Sequence, residues 1–129
     1  MMSDKVKDIE GRQDIRQVMV DFYDFLLADA DMKHFFEEVV NRGLEHHFDV
    51  LDDFWENMLF YTGTYRRNAM HPHLLLHMKK PMTPLHFERW LSHLETAVRA
   101  KYQGPKVEEM LQKARQIAMV MQMKTAQMG

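Results

Sequence analysis

Leu44-Glu45-His46-His47-Phe48-Asp49-Val50-Leu51-Asp52-Asp53-Phe54-Trp55-Glu56-Asn57-Met58-Leu59 decides the fold class. Leu44, His47, Phe48, Leu51, Phe54, Trp55, Met58 and Leu59 recur at spacings of three and four, the period of one helix face. Asp49, Asp52, Asp53 and Glu56 fall on the opposite face, which predicts an amphipathic helix with a polar, outward side. His47 lies inside the apolar stripe, in line with Leu51 and Trp55, whereas His46 points away by about 100°. A histidine in an apolar stripe needs a partner, either a hydrogen bond or a metal.

The same period extends in both directions. Upstream, Ile15, Val18, Met19, Phe22, Tyr23 and Leu26 mark a helix from Arg12, with Asp14, Arg16, Asp21 and Asp24 largely on its other side. After a break at Ala28–Asp31, Met32, Phe35, Phe36 and Val39 mark a shorter helix, which Asn41-Arg42-Gly43 ends. Downstream, Tyr61–Ala69 reads as a polar loop, and the histidine-rich segment after it as one or two helical turns closed by Lys79-Lys80-Pro81. Thr83-Pro84 has the form of an N-cap followed by proline at the first helical position. Its helix carries Phe87, Trp90, Leu91, Leu94, Ala97 and Val98. Gly104-Pro105 stops it and opens a last helix on Val107, Met110, Leu111, Ala114, Ile117, Ala118 and Met121. Nothing alternates with the period of a strand, so the fold class is all-α. The 129 residues form one domain, 1–129, with residues 1–11 as a polar N-terminal arm.

Composition narrows the chemistry. A net charge of −2 gives no reason to expect nucleic-acid or acidic-membrane partners. No apolar run is long enough to span a bilayer, and the charged N-terminus does not read as a signal peptide, so a cytoplasmic location is expected. The chain has no cysteine, which rules out disulfides, thiolate metal sites and a covalent haem attached through C-x-x-C-H. Thirteen methionines and five glycines suit helices with deformable cores.

His71-Pro72-His73-Leu74-Leu75-Leu76-His77 puts three histidines within one short segment. Pro72 suits the first turn of a helix, and that helix places His73 and His77 one turn apart on one face. A non-covalent haem needs an apolar slot, an axial ligand, and polar or cationic groups at its rim. Phe22, Phe36, Phe54, Trp55, Phe87 and Trp90 are candidates for the slot, with Met58 and Met70 as padding. His73 is a candidate axial ligand; Tyr61, Arg66, Arg67 and His77 are candidates for the propionates. The residues alone leave two other readings open. One is a cofactor-free helical interaction module, its methionines lining a groove. The other is a non-haem metal protein built on the four-residue histidine spacing, although no acidic or cysteine ligand lies nearby in sequence.

Five pieces occur in order: Val18-Met19-Val20-Asp21-Phe22-Tyr23, Phe54-Trp55-Glu56-Asn57-Met58-Leu59, Tyr61-Thr62-Gly63-Thr64-Tyr65, the histidine-rich segment, and His86-Phe87-Glu88-Arg89-Trp90-Leu91. Together the chain resembles the truncated haemoglobins, group III, over about Ile15 to Met121. Arg67 and Ala69 depart from the glycine and proline often found before the axial histidine of that group. The resemblance implies a shortened globin, a two-over-two helical sandwich around haem b. It makes His73 the proximal iron ligand, Tyr23, His47 and Trp90 the distal polar groups with Leu51 one turn beyond His47, and Phe36 the aromatic ring packed on the haem. The implied ligands are O2, NO, CO, cyanide or peroxide. Nitric oxide detoxification or peroxidase-like chemistry would need an external reductase, because the chain has no glycine-rich flavin or nicotinamide motif.

Overall fold

Each apolar period folds as the helix its spacing demands. The computed structural model describes residues 6–63, 65 and 70–127, with the side chains at 70, 71, 74 and 75 left aside. Among these residues the elements are α1 (Arg12–Ala28), a 3-10 turn (Lys33–Phe36), α2 (Glu37–Arg42), α3 (Leu44–Phe60), α4 (Met70–Lys79), α5 (Pro84–Lys101) and α6 (Pro105–Gln127). Helix α1 packs on α3 and α5, and α6 packs on α3, α4 and α5. The α1–α3 pair therefore lies over the α5–α6 pair, the two-over-two arrangement of a shortened globin. Ile15, Met19, Leu26, Leu59, Leu94 and Met110 are fully buried where these helices meet.

The local signals act as their chemistry requires. The Thr83 hydroxyl accepts from the His86 N–H and the His86 Nδ1 accepts from the Thr83 N–H, a reciprocal cap that starts α5 at Pro84. Helix α4 spans ten residues, longer than the one or two turns expected, and Pro72 lies in its first turn.

The described part of the N-terminal arm, from residue 6 onward, is tied down. Ile9 is buried, the Gln103 N–H donates to the Lys7 carbonyl, and Asp8 accepts from the N–H groups of Lys106 and Val107. Asp8 thereby satisfies two of the orphan donors at the start of α6. Gly104 makes this approach possible: its φ is +144°, and a Cβ there would stand 2.5 Å from the Asp8 Cγ.

The acidic face of α3 is not simply outward. Arg12 of α1 reaches Asp53 (2.7 Å) and Glu56 (3.2 Å), while Arg16 reaches Glu45 (2.9 Å), Asp49 and Asp52 (2.6 Å). Asp52 is 1% exposed, so a residue expected on the solvent side is buried in the α1–α3 seam. Two arginines one turn apart on α1 thus meet carboxylates spaced along α3.

A second polar tie joins the C-terminal end of α1 to α5. Asp29 accepts from His93 Nε2 (2.8 Å), Arg89 Nη1 (2.9 Å) and the Asp31 N–H (2.9 Å). The bond to His93, with help from Arg89 and the Asp31 amide, holds the Asp29 carboxyl down from 3.8 to about 2. A depressed folded-state pKa stabilises the fold above the unfolded value, and that stability is lost as pH falls through the folded one. Asp29→Asn is accordingly expected to cost about 2 kcal/mol at pH 7. The gap between variant and parent, read from denaturant melts, should close between about pH 4 and pH 2. A gap that is unchanged across that range would refute the assignment.

Candidate functional site

Two helices bring the polar centre together. Tyr23 projects from the buried face of α1 and His47 from the apolar stripe of α3, and the Tyr23 hydroxyl lies 2.7 Å from the His47 Nε2. Tyr23 is 5% exposed and His47 is half-buried. Burial raises the Tyr23 pKa well above the ordinary phenol value, so the hydroxyl keeps its proton. Burial also lowers the His47 pKa, and the charges of His73 and His46 lower it further, so the imidazole is neutral at pH 7. The pair is a neutral phenol–imidazole hydrogen bond whose direction follows the histidine tautomer.

Aromatic rings enclose this pair. Phe36, Phe48 and Phe22 meet the Tyr23 ring edge-on at centroid distances of 5.2, 5.5 and 5.6 Å. Phe22 passes the contact on to Trp90 of α5 at 5.8 Å. Phe54 stands edge-on to both Trp55 (5.2 Å) and Tyr65 (5.1 Å). The structure therefore gathers Tyr23, His47, Phe22, Phe36 and Trp90, five of the residues expected from sequence, into one cluster.

The other expected residues divide by exposure. Trp55 is buried in the main core, and Phe87 is buried in a smaller cluster with Ala118 and Met121. Leu51, Phe54 and Met58, like Phe36 and Trp90 of the cluster, pack on the core but remain only half-buried, as does Leu76, which the sequence did not single out. Half-buried apolar side chains from several helices leave apolar surface to be covered, which suits a flat apolar cofactor.

Among the described side chains, α4 supplies two imidazoles in different surroundings. His73 is exposed and close enough to His47 to depress its pKa. His77 is half-buried, and its Nδ1 accepts from the Met82 N–H at 2.9 Å. A neutral imidazole that accepts at Nδ1 carries its proton on Nε2. The unprotonated nitrogen of His77 is therefore already engaged by a backbone N–H, while Nε2–H remains a donor. Arg66 and Arg67 lie outside the described residues, as does the side chain of Met70. Tyr61 is directed elsewhere: its hydroxyl donates to Glu109 Oε2 (3.1 Å), and Lys113 stands 5.1 Å from its ring.

Sequence reasoning missed Phe48, Arg16 and Asp52 as neighbours of this cluster. Phe48 was legible only as one more residue of the α3 stripe. Arg12 and Arg16, one turn apart opposite the acidic row of α3, were the signal for the ion-paired seam. His93 is half-buried on Asp29.

Comparison with known proteins accords with this geometry. The sequence profile described as bacterial-like globin matches residues 6–124. The fold is similar to the crystal structure of a group III truncated hemoglobin from Campylobacter jejuni, with a TM-score of 0.84 and 24% identity. The match covers 97% of this chain and 98% of that one; at such identity it speaks for the fold. No curated protein matches the sequence.

Proposed function

The chain belongs to the bacterial-like globins, whose family role is haem-based binding of small ligands, and on that premise we propose a specific site. The reading is a b-type haem protein for O2, NO or CO. His73 is its proximal ligand, and Tyr23, His47 and Trp90 are its distal polar groups. The observation that carries it is the part-buried Tyr23–His47 hydrogen bond at 2.7 Å, placed among aromatic rings and within electrostatic reach of His73.

When bound, haem would supply a redox-active iron able to take a small ligand, five-coordinate or six-coordinate at rest according to whether His47 also binds it. The rest falls to the chain. His73 offers an exposed imidazole on α4, while His77 is committed at Nδ1 and keeps its Nε2 proton for a rim carboxylate. Phe36, Leu51, Phe54 and Met58, partly buried against the core, would cover its flat apolar surface. Tyr23 holds its proton and orients it beside His47, and the Trp90 indole adds a second N–H donor. With no cysteine in the chain, attachment is non-covalent.

Among the described residues no group of three or more His, Asp or Glu gathers to hold a bare metal ion. Among them no helix is long and apolar enough to cross a membrane. Nitric oxide detoxification or a peroxidase-like reaction on this site would draw its electrons from a separate reductase.

The test is spectroscopic. Protein produced with haem available should show an intense Soret band that His73→Ala abolishes and His77→Ala retains with weakened haem retention. A band that survives His73→Ala and disappears in His77→Ala moves the ligand to position 77. A folded, colourless protein would favour a cofactor-free interaction module instead.

A further inference from the structure

The α1–α3 seam contains a buried charge that packing alone does not explain. Asp52 is 1% exposed; its Oδ2 accepts from the Arg16 Nε at 2.6 Å, and its Oδ1 has no hydrogen-bond partner among the described residues. A buried carboxylate with one oxygen unsatisfied is a costly way to join two helices, since an apolar pair of the same volume does so at no such penalty. The charge has to be judged by what it orients.

What it orients is Arg16. The planar guanidinium is gripped by Asp52 at Nε, Glu45 at Nη1 and Asp49 at Nη2, so all three nitrogens of the fork are engaged by α3. Held there, its Cζ lies 5.6 Å from the centroid of Phe48, within cation–π range. Phe48 in turn stands perpendicular to the Tyr23 ring, at 5.5 Å and 86°. Tyr23 carries the hydroxyl that meets His47. Arg16 and Tyr23 are two turns apart on α1; Phe48 and Asp52 are one turn apart on α3, with His47 beside Phe48. The contacts run unbroken from Asp52 through Arg16 and Phe48 to Tyr23 and His47.

We propose that Arg16, clamped by the buried Asp52, is a positioning residue that sets the Tyr23–His47 hydrogen bond through the ring of Phe48. A phenol O–H prefers the plane of its ring, so the rings packed against Tyr23, Phe48 among them, set where the hydroxyl proton points. Phe48 is buried in the core, and the guanidinium over its face fixes the tilt of its ring. The planar shape of the fork matters as well as its charge, so lysine is a poor substitute. The consequence for ligand binding rests on the haem reading above; the positioning itself does not.

The test reads the hydrogen bond directly. The full-length chain, as purified, is placed under reducing conditions with carbon monoxide, where it is diamagnetic with or without haem. The side-chain nitrogen resonances of His47 are then recorded by NMR. Tyr23→Phe calibrates the response, since it removes the hydroxyl. Phe48→Leu, Arg16→Lys and Asp52→Asn should each move the His47 Nε2 resonance in the direction set by Tyr23→Phe. Val107→Ala, a core truncation in α6 outside the chain of contacts, should leave it in place. Arg16→Met is the stronger lesion; if it does not fold, Phe48→Leu and Arg16→Lys still decide the matter. A His47 resonance unmoved by Phe48→Leu overturns the proposal. So does an equal shift in Val107→Ala, which would make the effect one of general stability. Because the readout needs no haem, failure here is distinct from a missing Soret band.

Discussion

Arg16→Met is expected to destabilise the fold by about 3–5 kcal/mol at pH 7, because it strands the Asp52 carboxylate in the α1–α3 seam. The asymmetry between partners sets the size. Asp52 is 1% exposed, whereas the Arg16 side chain is 28% exposed, so most of the penalty falls on the carboxylate left behind. Arg12 gives the contrast: its pair with Asp53 is 38% and 40% exposed, and Arg12→Met should cost only about 0–1 kcal/mol.

The pH dependence fixes the mechanism. Burial already raises the Asp52 pKa above the usual carboxylate value, against the pull of Arg16 and Arg12. Removing Arg16 takes away the strongest opposing influence and raises it further. A carboxylate with a raised folded-state pKa is destabilising when ionised, so its penalty is full above that pKa and fades as pH falls through it. Urea melts of parent and Arg16→Met should therefore differ most near neutral pH and converge on acidification. Arg16→Met combined with Asp52→Asn should recover much of the loss at pH 7. A loss below 1 kcal/mol, or one that grows in acid, would show that Asp52 does not depend on Arg16.

Tyr23→Phe carries the largest expected functional effect. A hydrogen bond from a neutral donor to a partly charged ligand is worth about 1.5–3 kcal/mol. Within the haem reading, its loss should speed dioxygen release from the reduced protein about ten- to a hundred-fold. Phenylalanine keeps the ring contacts with Phe22, Phe36 and Phe48, so the change isolates the hydroxyl. Stopped-flow displacement of dioxygen by carbon monoxide measures the rate directly. Release within twofold of the parent would mean that the Tyr23 hydroxyl is spent on His47 and contributes nothing to the ligand.

Local signals were readable before any tertiary contact was known. The stripe from Leu44 to Leu59 and the row from Val107 to Met121 specify helices, since a period near 3.6 has no other use. Thr83-Pro84 specifies where α5 begins, because a cap and a fixed φ act within one turn. The polar residues were harder. Asp52 sits on the acidic face of α3, and nothing in its spacing distinguishes it from Asp49, which is exposed. Its burial depends on Arg16, 36 residues away along the chain. The same holds for Asp8 and Gly104, whose close approach makes an anchored arm of a stretch that is polar in composition.

The sequence by itself determined an all-α chain, the helix that carries each aromatic residue, and the short segment from which His73 and His77 come. Only the tertiary structure decided that Tyr23 meets His47, that His77 is committed at Nδ1 while His73 is exposed, and that a carboxylate is buried between α1 and α3. The physical reason is range. Periodicity and capping are settled within a turn or two, whereas the partner of a buried polar group is chosen by whichever distant helix the core brings against it.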